Sequence, residues 1–143
     1  MSYKIKIINN YGDLTIFKDQ WDKLYERTGK SVSQSYFFTL QSLKYDIKMN
    51  NGMRIHLILF FNENDLICIF PFLKKKNSLY KCIKGSTTGD ESDFLISSNS
   101  DVRKVVSTFY DFINKNNYKV FIKDLDANSP FLKYFEYYHK KNF

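Results

Sequence analysis

Polar and apolar positions alternate from Tyr3 to Ile8, the period of a strand with one buried face. Asn9, Asn10 and Gly12 break the run, and Asp13 is placed to cap a helix with its side-chain oxygen. Leu14, Phe17, Trp21, Leu24 and Thr28 then recur at spacings of three and four. That spacing predicts one amphipathic helix ending at Gly29, a suitable left-handed residue after the last turn. Ser31 to Ser35 reads as a polar link. A second helix is expected from Tyr36 to Lys48, with Phe37, Leu40, Gln41, Leu43 and Ile47 facing inward, closed by Asn50-Asn51-Gly52.

Met53 to Phe61 is rich in strand formers, Asn62 to Asp65 has the composition of a hairpin loop, and Leu66 to Leu73 returns as the partner strand. Pro71 lacks an amide donor, so it is expected at a bulge or an edge. Leu79 to Ile83 reads as a third antiparallel strand. Gly85 to Ser92 is a polar loop, and Asp93 to Ile96 a short extended segment. Ser100 or Asp101 caps a third helix, whose buried stripe is Val102, Val105, Val106, Phe109, Phe112 and Ile113. After Asn116-Asn117, Tyr118 to Leu125 is apolar enough for a central strand. Asn128-Ser129-Pro130 supplies a cap and a first-turn proline for a last helix from Phe131 to Lys141. The pattern predicts one α/β domain over 1–143, in the order β-α-α-β-β-β-α-β-α.

Composition adjusts this picture little. The chain has 143 residues, the length of one ordinary domain, and its 14 Phe and 11 Tyr supply much of the core. The formal net charge is +7, but only Arg27, Arg54 and Arg103 are arginines among 22 basic residues. The lysines are spread along the whole sequence, with one tight run at Lys74-Lys75-Lys76. The charge is therefore read as a solvated surface, and nucleic acid is not an expected partner. Cys68 and Cys82, 14 positions apart in apolar runs, read as buried thiols, and a metal site is not expected. The start, Met1 to Lys6, has no apolar signal core, and Leu66 to Leu73 is far short of a bilayer span, so a cytoplasmic protein is expected.

Three local patterns, taken with the element order, carry a resemblance. Trp21-Asp22-Lys23-Leu24 lies in the opening helix. Gln34-Ser35-Tyr36-Phe37-Phe38 enters the second. Ile69-Phe70-Pro71-Phe72 is followed by Gly85 to Ser92-Asp93-Phe94. Together they resemble the GNAT acyltransferase superfamily, and within it the CelD/BcsL and FemAB-like group, whose larger members carry two GNAT-like halves. Phe38 stands where that group usually has Trp. The resemblance implies a mixed, mostly antiparallel sheet flanked by helices, here without the family's two terminal strands. It also implies an N-terminal half of an N-acyltransferase of bacterial envelope or polysaccharide metabolism, inactive alone and acting on an amine or amino-sugar acceptor. A second half or a homodimer partner would complete it. The competing expectation is a non-catalytic interaction module that pairs through its sheet edge or its aromatic tail; a basic nucleic-acid binder, disfavoured by the scattered lysines, is the third.

One departure matters. The family cradles the CoA pyrophosphate on backbone amides in a glycine loop where its third helix begins, the same physics as other helix-start anion sites. Here that stretch is Ser97 to Arg103. It contains no glycine, and Asp101 sets a negative charge there. No cofactor is therefore expected on this chain, and acyl-CoA only with a second half. For the acceptor site the resemblance implies Gln34, Ser35, Tyr36 and Phe38, with Asp90 and Asp93 from the acidic loop that also holds Glu91. Clustered carboxylates can orient an amine or share a proton. The plainer reading makes Ser33 or Ser35 a helix cap, the aromatics core, and the acidic loop solvated. His56 reads as an ordinary strand histidine sharing a face with Arg54 and Ile58, and His139 as solvated. The common hydrolase, zinc-protease and nucleotide-loop motifs are missing.

Overall fold

The computed structural model describes residues 2–81, 93–122 and 128–141, leaving aside the side chains of 140 and 141. β1 (Lys4–Ile8) is followed by helices α1 (Tyr11–Ile16) and α2 (Lys18–Thr28), a 3-10 turn (Val32–Gln34) and α3 (Tyr36–Met49). Strands β2 (Arg54–Asn62), β3 (Asp65–Lys75), β4 (Ser78–Lys81) and β5 (Leu95–Ile96) come next, then α4 (Val102–Lys115), β6 (Lys119–Ile122) and α5 (Pro130–Lys141). The six strands form one sheet in the order β1-β2-β3-β4-β6, with β5 also on β3. Only β4 and β6 run parallel. The chain is thus α/β with a mostly antiparallel open sheet between two helical layers.

The pleat explains the layering, because successive side chains of a strand point to opposite faces. β2 is buried along nearly its whole length and feeds two cores. Leu57 and Leu59 join Leu14, Trp21, Leu24, Tyr36 and Leu43 under α1 to α3. Ile58 and Phe60 join Phe70, Phe72, Val105, Val106, Phe109 and Phe131 under α4 and α5. The second core is mainly rings. Phe70 lies 5.2 Å from Phe60, 4.8 Å from Phe94, 4.5 Å from Phe109 and 5.6 Å from Phe131. Each such fully buried side chain contributes about 1.5–3 kcal/mol of transfer free energy.

Several expectations need correction. The first helix is two, broken at Phe17, whose ring turns down onto Phe61 at 5.8 Å. Asn10, not Asp13, caps α1: its side chain accepts from the Asp13 amide at 2.8 Å and donates to the Asp13 carboxylate at 2.8 Å. Gly29 is extended (φ −62°, ψ 138°) instead of left-handed. It is there for space, since a Cβ would sit 2.2 Å from the Tyr25 ring. In α3 the buried stripe is Tyr36, Thr39, Leu43 and Asp46. Trp21 fixes this phase by taking Tyr36 edge-on at 5.4 Å, which turns Gln41 outward and leaves Phe37 72% exposed.

Pro71 is neither at an edge nor at the β2–β3 register shift, which falls at Phe60/Phe61. It pairs with Leu57 where the other side of β3 passes from β4, opposite Leu73 to Lys75, to β5, opposite Cys68 and Ile69. No rung on that second side asks for its amide among the described residues. The strand expected at Tyr118 to Leu125 is β6, the last strand of the described sheet and not a central one. Its Phe121 is half exposed. Asp101 caps α4 and Ser129 caps α5, accepting from the Leu132 amide at 3.2 Å. Cys68 is a fully buried thiol whose pKa burial pushes well up, while Cys82 and Ile83 lie outside the described residues.

Candidate functional site

The Gln34 side chain meets the Asp93 backbone carbonyl across 59 residues of sequence. Ser31 starts this arrangement by capping the 3-10 turn, with its hydroxyl 3.3 Å from the Ser33 amide. Gln34 folds back, and its Oε1 accepts from the Lys30 amide at 2.8 Å and the Ser31 amide at 3.2 Å. Its Nε2 donates to the Asp93 carbonyl at 3.0 Å, and its own carbonyl accepts from the Trp21 indole at 3.0 Å. Gln34 is therefore a clamp tying α2, the 3-10 turn and the start of the β5 segment together. Its side chain has no hydrogen-bonding capacity left over but one amide hydrogen.

Asp93 is the group this clamp positions. One carboxylate oxygen accepts from the Phe94 amide at 2.7 Å and the other from the Ser129 hydroxyl at 2.7 Å. Ser129 thereby caps α5 and holds the carboxylate at once. Desolvation pushes the Asp93 carboxyl above the ordinary carboxylate range. The two hydrogen bonds and the charges of Lys81 and Lys30 oppose that rise without cancelling it. Lys81 is itself buried, its ammonium 5.7 Å from the Phe94 ring centre.

A cleft of about 320 Å³ opens beside this pair. Its walls are the end of α2 (Arg27, Thr28, Lys30), Gln34, the segment from Asp93 to Ser98, and the first residues of α4 and α5 (Val102, Pro130, Phe131). Two helices thus begin at the cleft. Most of the amides before α4 are already committed, however. Ser97 donates to the Ile67 carbonyl at 2.7 Å, Ser98 to the Thr28 hydroxyl at 3.4 Å and Asn99 to the Ser97 hydroxyl at 3.4 Å. Ser100 donates to the Ser97 carbonyl at 3.0 Å, and Arg103 to the Asp101 carboxylate at 3.0 Å. Five of the seven amides from Ser97 to Arg103 are thus spent within the protein, and the Asp101 carboxylate takes the place of an anion at the start of α4.

Of the residues expected at an acceptor site, Gln34 and Asp93 come together. Ser35 is the cap of α3, accepting from the Phe38 amide at 3.2 Å, and Tyr36 is buried against Trp21. Phe38 is half-buried, and none of these three lines the cleft. Asp90 and Glu91 lie outside the described residues. Sequence reasoning missed Ser129 and Lys81, whose part depends on strand register and on the start of a helix 36 residues past Asp93. His56 is buried on the ring-rich face, edge-on to Tyr118 at 5.6 Å, and its Nε2 has no hydrogen-bond partner among the described residues. Burial and the neighbouring Lys74 and Arg54 lower its pKa to about 4.

Among the described residues no group of three or more His, Cys, Asp or Glu side chains is arranged to hold a metal ion, and no helix is long and apolar enough to cross a membrane. No family model, no curated protein and no solved structure matches the chain.

Proposed function

We propose that this chain is the acceptor-binding, GNAT-like half of an N-acyltransferase of bacterial envelope or polysaccharide metabolism. The Asp93 cleft would receive the amine of an amine or amino-sugar acceptor. The observation that carries the reading is the Asp93 carboxylate, held by Phe94 and Ser129 at the wall of a cleft. Among the described residues each oxygen has one donor, which leaves a further lone pair to accept from an ammonium or a sugar hydroxyl. A carboxyl whose pKa is already raised is suited to take a proton from a bound ammonium before it attacks an acyl group. The commitment of five of the seven amides from Ser97 to Arg103 supports a division of labour, with acyl-CoA held by a second half.

The test is calorimetric titration of the chain with glucosamine, glucose and acetyl-CoA. Binding of glucosamine, lost in Asp93→Asn, with no heat from glucose or acetyl-CoA is expected. Micromolar acetyl-CoA binding, or glucosamine binding indifferent to Asp93→Asn, refutes the reading. A second reading, a non-catalytic interaction module, is favoured by the outward apolar side chains of α3, Phe37, Tyr45 and Met49. Sedimentation would show self-association that Phe37→Ser abolishes.

A further inference from the structure

Lysines that are scattered in sequence are gathered by the fold at one pole of the sheet, the end opposite the cleft. Lys48 closes α3, and the turn after it leads to Arg54 at the start of β2. Arg54 pairs with Lys74, and Lys75 and Lys76 enter the turn to β4. Lys115 ends α4, and Lys119 begins β6, its amide donating to the Asn77 carbonyl at 2.9 Å. The segments 47–55, 73–78 and 114–120 that build this pole contain seven cations and no Asp or Glu. All but Lys74 are exposed; Lys74 lies over the Tyr118 ring at 5.4 Å. Two helix C-termini also end here, which favours cations locally.

Beside these charges the sheet carries an open pair of rings. Tyr80 and Phe121 face one another on the parallel strands β4 and β6, centroids 5.0 Å apart and planes within 10°. They stand on the face that α1 to α3 cover further along, and Phe121 is 51% exposed. Two residues nearer the pole, Ser78 on β4 and Lys119 on β6 are in register with Lys75 on the adjoining β3, on the same face and roughly 7 Å away. A ring stack with cations one step off is the arrangement that holds bases by their faces and the backbone by its phosphates.

We propose that this pole is a binding surface for single-stranded nucleic acid, with Tyr80 and Phe121 as the stacking platform and Lys75 and Lys119 pairing with phosphates. The tip of the pole favours this over an anionic membrane. It is made of Asn50, Asn51, Lys76, Asn77, Asn116 and Asn117, and in the three segments Met49 is the one exposed large apolar side chain, too little to anchor among acyl chains. The surface is separate from the Asp93 cleft: α4 runs from one to the other, about 20 Å.

The test is fluorescence anisotropy of a short labelled single-stranded oligonucleotide. Neutralising about four phosphates predicts roughly 50-fold weaker binding between about 50 and 200 mM salt. Reversing two charges with Lys75→Glu and Lys119→Glu together should cost about tenfold or more at low salt, and Phe121→Ala about fivefold or more. Lys23→Glu with Lys133→Glu makes the same change in net charge on α2 and α5 and should leave most of the affinity. Four results would overturn the proposal: no binding, an equal loss in the charge-matched control, no loss with Phe121→Ala, or capture by phosphatidylserine vesicles without capture of the oligonucleotide.

Discussion

Acid should loosen this protein through one side chain. His56 is buried beside Tyr118 with an unpartnered Nε2, and Lys74 and Arg54 add to burial in disfavouring its cation. Its pKa falls from 6.5 to about 4 in the folded chain. Between those values the unfolded chain binds a proton that the folded chain refuses. Stability is therefore full above about pH 6.5, declines as the pH drops through this window, and levels below about 4. The interval corresponds to at most about 3 kcal/mol, and to roughly 1–2 kcal/mol once water reaching the strand end at the basic pole screens the charge. The perturbation is His56→Leu, which keeps an apolar side chain against Tyr118 and removes the titrating group. Urea unfolding followed by the single, buried Trp21 at several pH values between 7.5 and 4.5 gives both stability curves. The wild type should lose about 1–2 kcal/mol relative to the variant across that range. A difference between the two curves that stays constant with pH would refute the reasoning, because every other group titrates alike in both proteins.

Three further outcomes follow from the same geometry. Asp93→Asn should leave the melting temperature unchanged or higher at neutral pH while removing acceptor binding. The raised pKa of Asp93 makes its charge unfavourable to folding above that pKa, a cost that fades as the pH falls through it; scanning calorimetry with titration of glucosamine checks both halves. Gly29→Ala should destabilise by about 1–3 kcal/mol in urea, because its Cβ would strike the Tyr25 ring and lie 2.6 Å from the Tyr25 carbonyl oxygen. Phe70→Ala should cost about 3–5 kcal/mol, since it empties the centre of a ring cluster that touches β2, α4 and α5.

Much of this architecture can be read along the chain, because periodicity records which face is buried. The stripe from Val102 to Ile113 and the near-continuous apolar runs of β2 and β3 state their burial directly. What escapes is set by contacts distant in sequence. Phe37 and Tyr36 are equivalent to a pattern; only the Trp21 ring decides which goes inward. Asp13 and Asn10 both look like caps, and the backbone chooses Asn10. An apolar run such as Lys119–Ile122 cannot say whether it is central or an edge, since that depends on which strands flank it. At the site, Gln34 and Asp93 can be named from the sequence, but Ser129 cannot, because a serine before a proline announces a cap and not a second bond to a carboxylate. The basic pole is the plainest case. Lysines even in spacing become a patch only when four strand ends and two helix ends are brought to one side.

The two cores differ in a way that a spectrometer can exploit. Rings crowd one side of the sheet, so the methyl groups of Val105, Val106 and Ile58 lie among aromatic currents and should resonate far upfield of their usual positions. The opposite side holds the lone indole, edge-on to Tyr36 in a core with more aliphatic side chains. Each helical layer thus carries its own optical or magnetic label without any added dye. Loosening of α4 and α5 would collapse the methyl dispersion while tryptophan emission held steady, and loosening of α1 to α3 would do the reverse.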